Sequence, residues 1–131
     1  MSITLTIKDE SSSGKITNEV EVHFLSELTS VKDIIQKRVE SEVKNYNKRM
    51  PEYYQGLIQP SDSEKTLNGF KLKQRKKIDI DKQCSIALEA FKKNGFFILI
   101  DSIQSEGLDQ MIIINEKTRI SFLKLTPLVG G

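Results

Sequence analysis

Ser30-Val31-Lys32-Asp33-Ile34-Ile35-Gln36-Lys37-Arg38-Val39-Glu40-Ser41-Glu42-Val43-Lys44-Asn45-Tyr46 is the stretch on which the fold turns. Ser30 suits an N-cap, because its hydroxyl can accept a free backbone N–H of the first turn. Asp33, three residues on, stands where a capping box usually has Glu. Val31, Ile34, Ile35, Val39, Val43 and Tyr46 then recur at helical spacing along one stripe. The spacing predicts a helix that ends near Asn47, before Met50-Pro51, since a residue preceding proline is pushed out of the helical region. A helix with one apolar stripe needs a second layer to cover it.

Strand patterns lie on both sides of this helix. Ile3, Leu5 and Ile7 alternate with polar residues, as in a half-buried strand. Ser11-Ser12-Ser13-Gly14 is a turn. From Ile16 to Leu25, Val20, Val22 and Phe24 alternate against Glu19, Glu21 and His23. The two segments predict an antiparallel hairpin. Beyond the helix, residues 50–78 are irregular, with turn chemistry at Tyr53-Tyr54-Gln55-Gly56, Gln59-Pro60-Ser61-Asp62 and Leu67-Asn68-Gly69-Phe70. A basic run follows, Lys71-Leu72-Lys73-Gln74-Arg75-Lys76-Lys77. Asp79 or Asp81 opens a second helix whose apolar face is Ile80, Cys84, Ala87, Leu88 and Phe91, closed by Asn94-Gly95. Tyr53 and Tyr54 read as anchors of this segment on the sheet.

The last third returns to strand chemistry. Phe96-Phe97-Ile98-Leu99-Ile100 has the composition of a fully buried strand, and Asp101 to Gly107 turns the chain. Met111-Ile112-Ile113-Ile114 is a short apolar segment, Asn115-Glu116-Lys117 a turn, and Arg119 to Leu125 a final strand. These periodicities predict one mixed sheet on the 31–46 helix, with the second helix packed on the same domain.

Composition narrows the function classes. The 131 residues suit one domain, and they are 29% charged and 37% apolar. A net charge of +2 gives no ground for a nucleic-acid binder. The longest apolar run, Gly95 to Ile100, is too short to span a bilayer. The single cysteine, Cys84, cannot form an internal disulfide and suits a reducing cytoplasm. It falls on the apolar face of the second helix and reads as a buried structural thiol. His23, the only histidine, falls on the outward side of its strand without a second imidazole or a cysteine cluster to make a metal site. No paired carboxylates, Ser-His-Asp set or phosphate loop stands out, so the chain does not read as an independent enzyme. The Lys71 to Lys77 run reads as a solvated loop, with a phosphate or acidic-partner patch as the alternative.

The sequence closes with Thr126-Pro127-Leu128-Val129-Gly130-Gly131. Two glycines have no Cβ, so this stem can enter a slot too narrow for other residues. The order hairpin, long helix, strand, short strand, terminal strand and Gly-Gly resembles the β-grasp fold of the ubiquitin-like superfamily. Pro127-Leu128-Val129-Gly130-Gly131 resembles the Pro-Val-x-Gly-Gly ending of prokaryotic sulfur carriers, the small subunit of molybdopterin synthase and the thiamine-pathway carrier. Residues 96–131 are similar to the C-terminal half of those carriers, including the turn Glu106-Gly107-Leu108-Asp109. Those carriers have nothing like residues 50–95, and Thr126 stands where a second proline is common.

The resemblance implies an α+β fold over residues 1–131, a β-grasp mixed sheet on one long helix whose first and last strands pair in parallel at the sheet centre, with an insertion at about 50–95 and a flexible tail at 126–131. It also implies a chemistry. A carboxylate becomes an acyl donor once adenylated, because sulfide or a thiolate can attack the mixed anhydride. Gly131 would supply that carboxylate. Gly130 would give access, Leu128 and Val129 would line the entrance groove of the partner, and Pro127 would stiffen the exit from the sheet. The implied partner is an adenylating activating enzyme that uses ATP, while the chain itself binds no cofactor. Onward partners would be a sulfur acceptor for a carrier, or a conjugating enzyme and a JAB-type peptidase for a modifier. No membrane or nucleic-acid partner is implied. A β-grasp adaptor that acts only through protein binding is the alternative.

Overall fold

A computed structural model describes residues 2–73 and 76–124. The hairpin forms as its alternation requires. Strand β1 (Ile3–Ser11) pairs antiparallel with β2 (Ile16–Phe24), with Ile3 opposite Phe24, Leu5 opposite Val22 and Ile7 opposite Val20. The register slips between Asp9 and Glu10. The short β3 (Leu28–Ser30) leads into α1 (Val31–Arg49). The Ser30 side chain caps this helix, accepting the Asp33 N–H at 3.1 Å. The helix runs two residues past the expected Asn47. It stops where Met50, held before Pro51, adopts a left-handed conformation (φ 44°) and returns its N–H to Tyr46.

The main sheet has the order β2-β1-β9-β6-β7, where β6 is Phe96–Ile100, β7 is Ile103–Gln104 and β9 is Ile120–Lys124. The expected neighbourhood of first and last strands is present. β9 runs parallel to β1, from Ile7 opposite Ile120 to Ser11 opposite Lys124, and antiparallel to β6. The inward residues Ile3, Leu5, Ile7, Val22, Phe24, Ile98, Ile120 and Phe122 share one core with the α1 stripe, and Val31, Ile34, Ile35, Val39 and Val43 are at most 1% exposed. The fold is therefore α+β, a five-stranded mixed sheet with two helices.

Several expectations need correction. β6 is not buried on both faces. Phe96 and Ile98 point into the core, but Phe97 and Leu99 are only half-buried, because the helices cover one face of the sheet. The sheet is not the sole one: β8 (Met111–Ile113) leaves it and pairs with β3, and the stretch read as a turn at 101–107 contains β7. The irregular 50–78 region holds a hairpin, β4 (Ser63–Thr66) with β5 (Gly69–Leu72), turned by Leu67-Asn68 and by Gly69 at φ +124°. Thus Lys71 and Leu72 belong to a strand and not to a loop. Tyr54 anchors the insertion on α1, and Tyr53 and Tyr54 line a cavity together with Asn18 to Glu21 of β2. The Tyr54 ring stands edge-on to Tyr46 at 5.4 Å, while its backbone exchanges hydrogen bonds with Phe70.

Helix α2 (Ile80–Lys92) starts at Asp79, whose side chain accepts the Lys82 N–H. It packs on α1 and β6, with Cys84 and Ala87 buried. Phe91 is only half-buried, against Phe96 at 5.7 Å, because it lies near the open end of the helix. Asn47 fastens the insertion a second time: its side chain donates to the Ile78 carbonyl and accepts the Ile78 N–H.

Candidate functional site

The segment on which the functional expectation rests, Pro127, Leu128, Val129, Gly130 and Gly131, lies outside the described residues. What the structure describes is the root of that segment. β9 is held on both edges, by β1 and by β6, up to Lys124. Gly131 lies seven positions beyond Lys124 in the sequence, a span that reaches at most about 25 Å when fully extended.

A buried charge cluster sits at this root. Arg38 is 0% exposed and lies on the α1 stripe. Its guanidinium grips Asp9 of β1 with two hydrogen bonds, from Nη1 to Oδ1 and from Nη2 to Oδ2 at 2.7 Å. It also donates to Glu42, one turn along α1, at 3.3 and 3.4 Å. Its planar face lies over the ring of Phe122 in β9, 4.6 Å from the centroid. Glu42 in turn accepts the Leu57 N–H at 3.2 Å, which ties in the insertion. Lys124 closes the cluster, its Nζ lying 3.7 Å from Asp9 Oδ2. Two cations thus meet two carboxylates: Arg38, Asp9 and Glu42 are buried, and Lys124 is partly exposed at the edge.

The electrostatics follow from burial and pairing. Burial opposes the charge on Arg38, but Glu42 and Asp9 outweigh it and hold the guanidinium firmly protonated. Burial raises the Glu42 carboxyl above its ordinary range against the pull of Arg38 and the Leu57 N–H. Burial also lowers the Lys124 ammonium, opposed by Asp9. Every group is spent on another, so the arrangement offers no free base or nucleophile. It can fix β1, α1, β9 and residue 57 relative to one another.

The remaining candidates are dispersed. His23 is exposed on the outer sheet face, with Nδ1 2.7 Å from Thr4 Oγ1. Cys84 is buried, its Sγ 3.8 Å from the Gln36 carbonyl, and burial raises its thiol. Such a thiol is a poor nucleophile. Gln74 and Arg75 of the basic run lie outside the described residues. Among the described residues, no group of three His, Cys, Asp or Glu is placed to hold a metal ion, and no helix is long and apolar enough to cross a membrane.

Sequence reading passed over Asp9, Arg38, Glu42 and Lys124, although three carry a signal. Asp9 continues the inward series Ile3, Leu5, Ile7. Arg38 and Glu42 occupy the α1 stripe between Ile34 and Tyr46, four residues apart. Charges in core positions of two facing elements imply a partner across the core. Comparison with family models, curated proteins and solved structures finds no match to the chain.

Proposed function

We propose that the chain is a β-grasp, ubiquitin-like carrier or modifier of prokaryotic type, working in the cytoplasm, whose Gly131 carboxylate is adenylated by an activating enzyme. The observation that supports this most is the course of β9. It lies between β1 and β6, parallel to β1, and in the sequence its last residue, Lys124, stands three positions before Pro127 of the Pro-Leu-Val-Gly-Gly segment. The hairpin, the crossing helix and the order β2-β1-β9-β6 agree with the β-grasp arrangement. In this reading the chain is an acyl donor and not an enzyme. ATP, metal and base belong to the activating partner, and Pro127, Leu128, Val129 and Gly130 form the stem that the partner grips. The activated carboxyl then leaves as a thiocarboxylate, for a sulfur acceptor, or as a thioester, for a target amine.

The exposed apolar side chains Leu25, Leu28, Met111 and Ile113, from 53% to 77% exposed, favour a second reading. In it the domain is an adaptor that binds partners and is never activated. ATP–pyrophosphate exchange with an adenylating enzyme of the sulfur-carrier type separates the two. The acyl-donor reading expects exchange that depends on the protein and is lost when Gly130 and Gly131 are deleted, at unchanged thermal stability. Exchange that survives the deletion excludes Gly131 as donor.

A further inference from the structure

The inserted segment between α1 and α2 builds a cavity of its own, about 270 Å³ in volume. Small-molecule sites usually occupy about 300–1,000 Å³, so this space suits one inserted side chain better than a cofactor. Part of its lining is apolar: Pro60 and Ile78 are buried and Leu72 is half-buried. Lys76, Lys77 and Lys82 also line it and are exposed. Among the described residues no carboxylate forms an ion pair with any of the three. Lys73 adds an exposed cation beside the cavity, its N–H bonded to the Asp62 carbonyl. The lining includes two carboxylates, Asp62 and Asp79, and the second is engaged in capping α2.

An apolar lining with unpaired lysines around it has a definite complement. We propose that this cavity docks an acidic segment of a partner protein, which inserts one aliphatic side chain against Pro60, Leu72 and Ile78 and sets flanking carboxylates on Lys76, Lys77 and Lys82. Nucleic acid fits less well. Among the described residues no aromatic side chain lines the cavity to stack a base, and a phosphate backbone has nothing to place on the apolar part of the lining. The surface is independent of what happens at Gly131. It gives residues 50–95 a role of their own, that of choosing a partner.

The full chain can be titrated with a fluorescein-labelled peptide of six glutamates around a central leucine. The same peptide with serine for leucine and an eight-nucleotide uridine RNA serve as comparisons. Anisotropy gives affinity, and amide chemical shifts give location. The leucine peptide is expected to bind with shifts at Leu72, Ile78 and Gln83, and to weaken by about tenfold or more between 50 and 300 mM salt. The serine peptide is expected to bind about fivefold or more weaker, since the cavity is then unfilled. The K76E/K77E variant is expected to lose about tenfold or more, because like charges now face the peptide. K82E, on a different element, gives the same reading if the double variant does not fold. No binding, equal binding of the two peptides, shifts remote from the cavity, or tighter binding of the RNA would overturn the proposal.

Discussion

Arg38 is the residue around which the interior is organised, and its energetics are asymmetric. Removing one partner of a buried ion pair strands the other charges in low dielectric. R38A is therefore expected to destabilise the fold by about 3–5 kcal/mol. Replacing Asp9, Arg38 and Glu42 together by Leu, Met and Leu is expected to cost less, because the one charge left without its partner, Lys124, has a side chain 38% exposed and can reach water. Urea unfolding of both variants checks this, and equal losses would mean that packing dominates over charge.

Glu42 adds a pH dependence of known sign. Its folded carboxyl is raised above the ordinary 4.5, by burial first, so the folded state binds the proton more tightly than the unfolded chain. Its contribution is fullest below that value and is lost as pH rises through the folded value. The stability of wild type relative to E42Q should thus fall as pH climbs from 4.5 upward. A difference that rises instead contradicts the assignment. Gly56 is equally exacting for a steric reason. A Cβ there would overlap the ring of Tyr54, which is 1% exposed and wedged between Tyr46 and Phe70. G56A is expected to cost about 1–3 kcal/mol by thermal melting, as overpacking does. Glu42 shows in the sequence only as a charge on the α1 stripe, and the Gly56 contact has no local signature, because it depends on what the insertion brings across α1.

Legibility at the scale of elements follows periodicity. Both helices announce themselves through a cap and a stripe: Ser30 with Val31 to Tyr46, and Asp79 with Cys84, Ala87 and Leu88. The β1–β2 hairpin is equally plain, since Ile3 to Ile7 and Val20 to Phe24 alternate cleanly. The β4–β5 hairpin is not. Ser63-Glu64-Lys65-Thr66 carries no apolar residue, and only the Asn68-Gly69 pair hints at the turn. In β6, five apolar residues in a row conceal the alternation that the one-sided sheet imposes. Phe91 shows the energetic consequence of position. Half-exposed near the end of α2, it is expected to cost only about 1–2 kcal/mol on truncation to alanine, below the 3–5 kcal/mol typical of a core phenylalanine. A loss at the core value would place it deeper than the structure does.

For the whole molecule, the parallel β1–β9 pairing was an expectation of the β-grasp resemblance, since two apolar strands at opposite ends of a sequence do not by themselves fix their order or direction in a sheet. The buried cluster at the root of β9 was not legible, because a charged residue on a stripe reads as an interruption until its partner across the core is known. The central claim concerns the chemistry that this frame delivers at Gly131, and intact mass spectrometry addresses it most directly. The full chain is incubated with ATP, sulfide and an adenylating enzyme of the sulfur-carrier type, then weighed. Exchange of one oxygen for sulfur, a gain of roughly 16 Da that disappears when Gly130 and Gly131 are deleted, is the predicted result. An unchanged mass, with no adenylate and no thioester to the enzyme, would contradict the acyl-donor account.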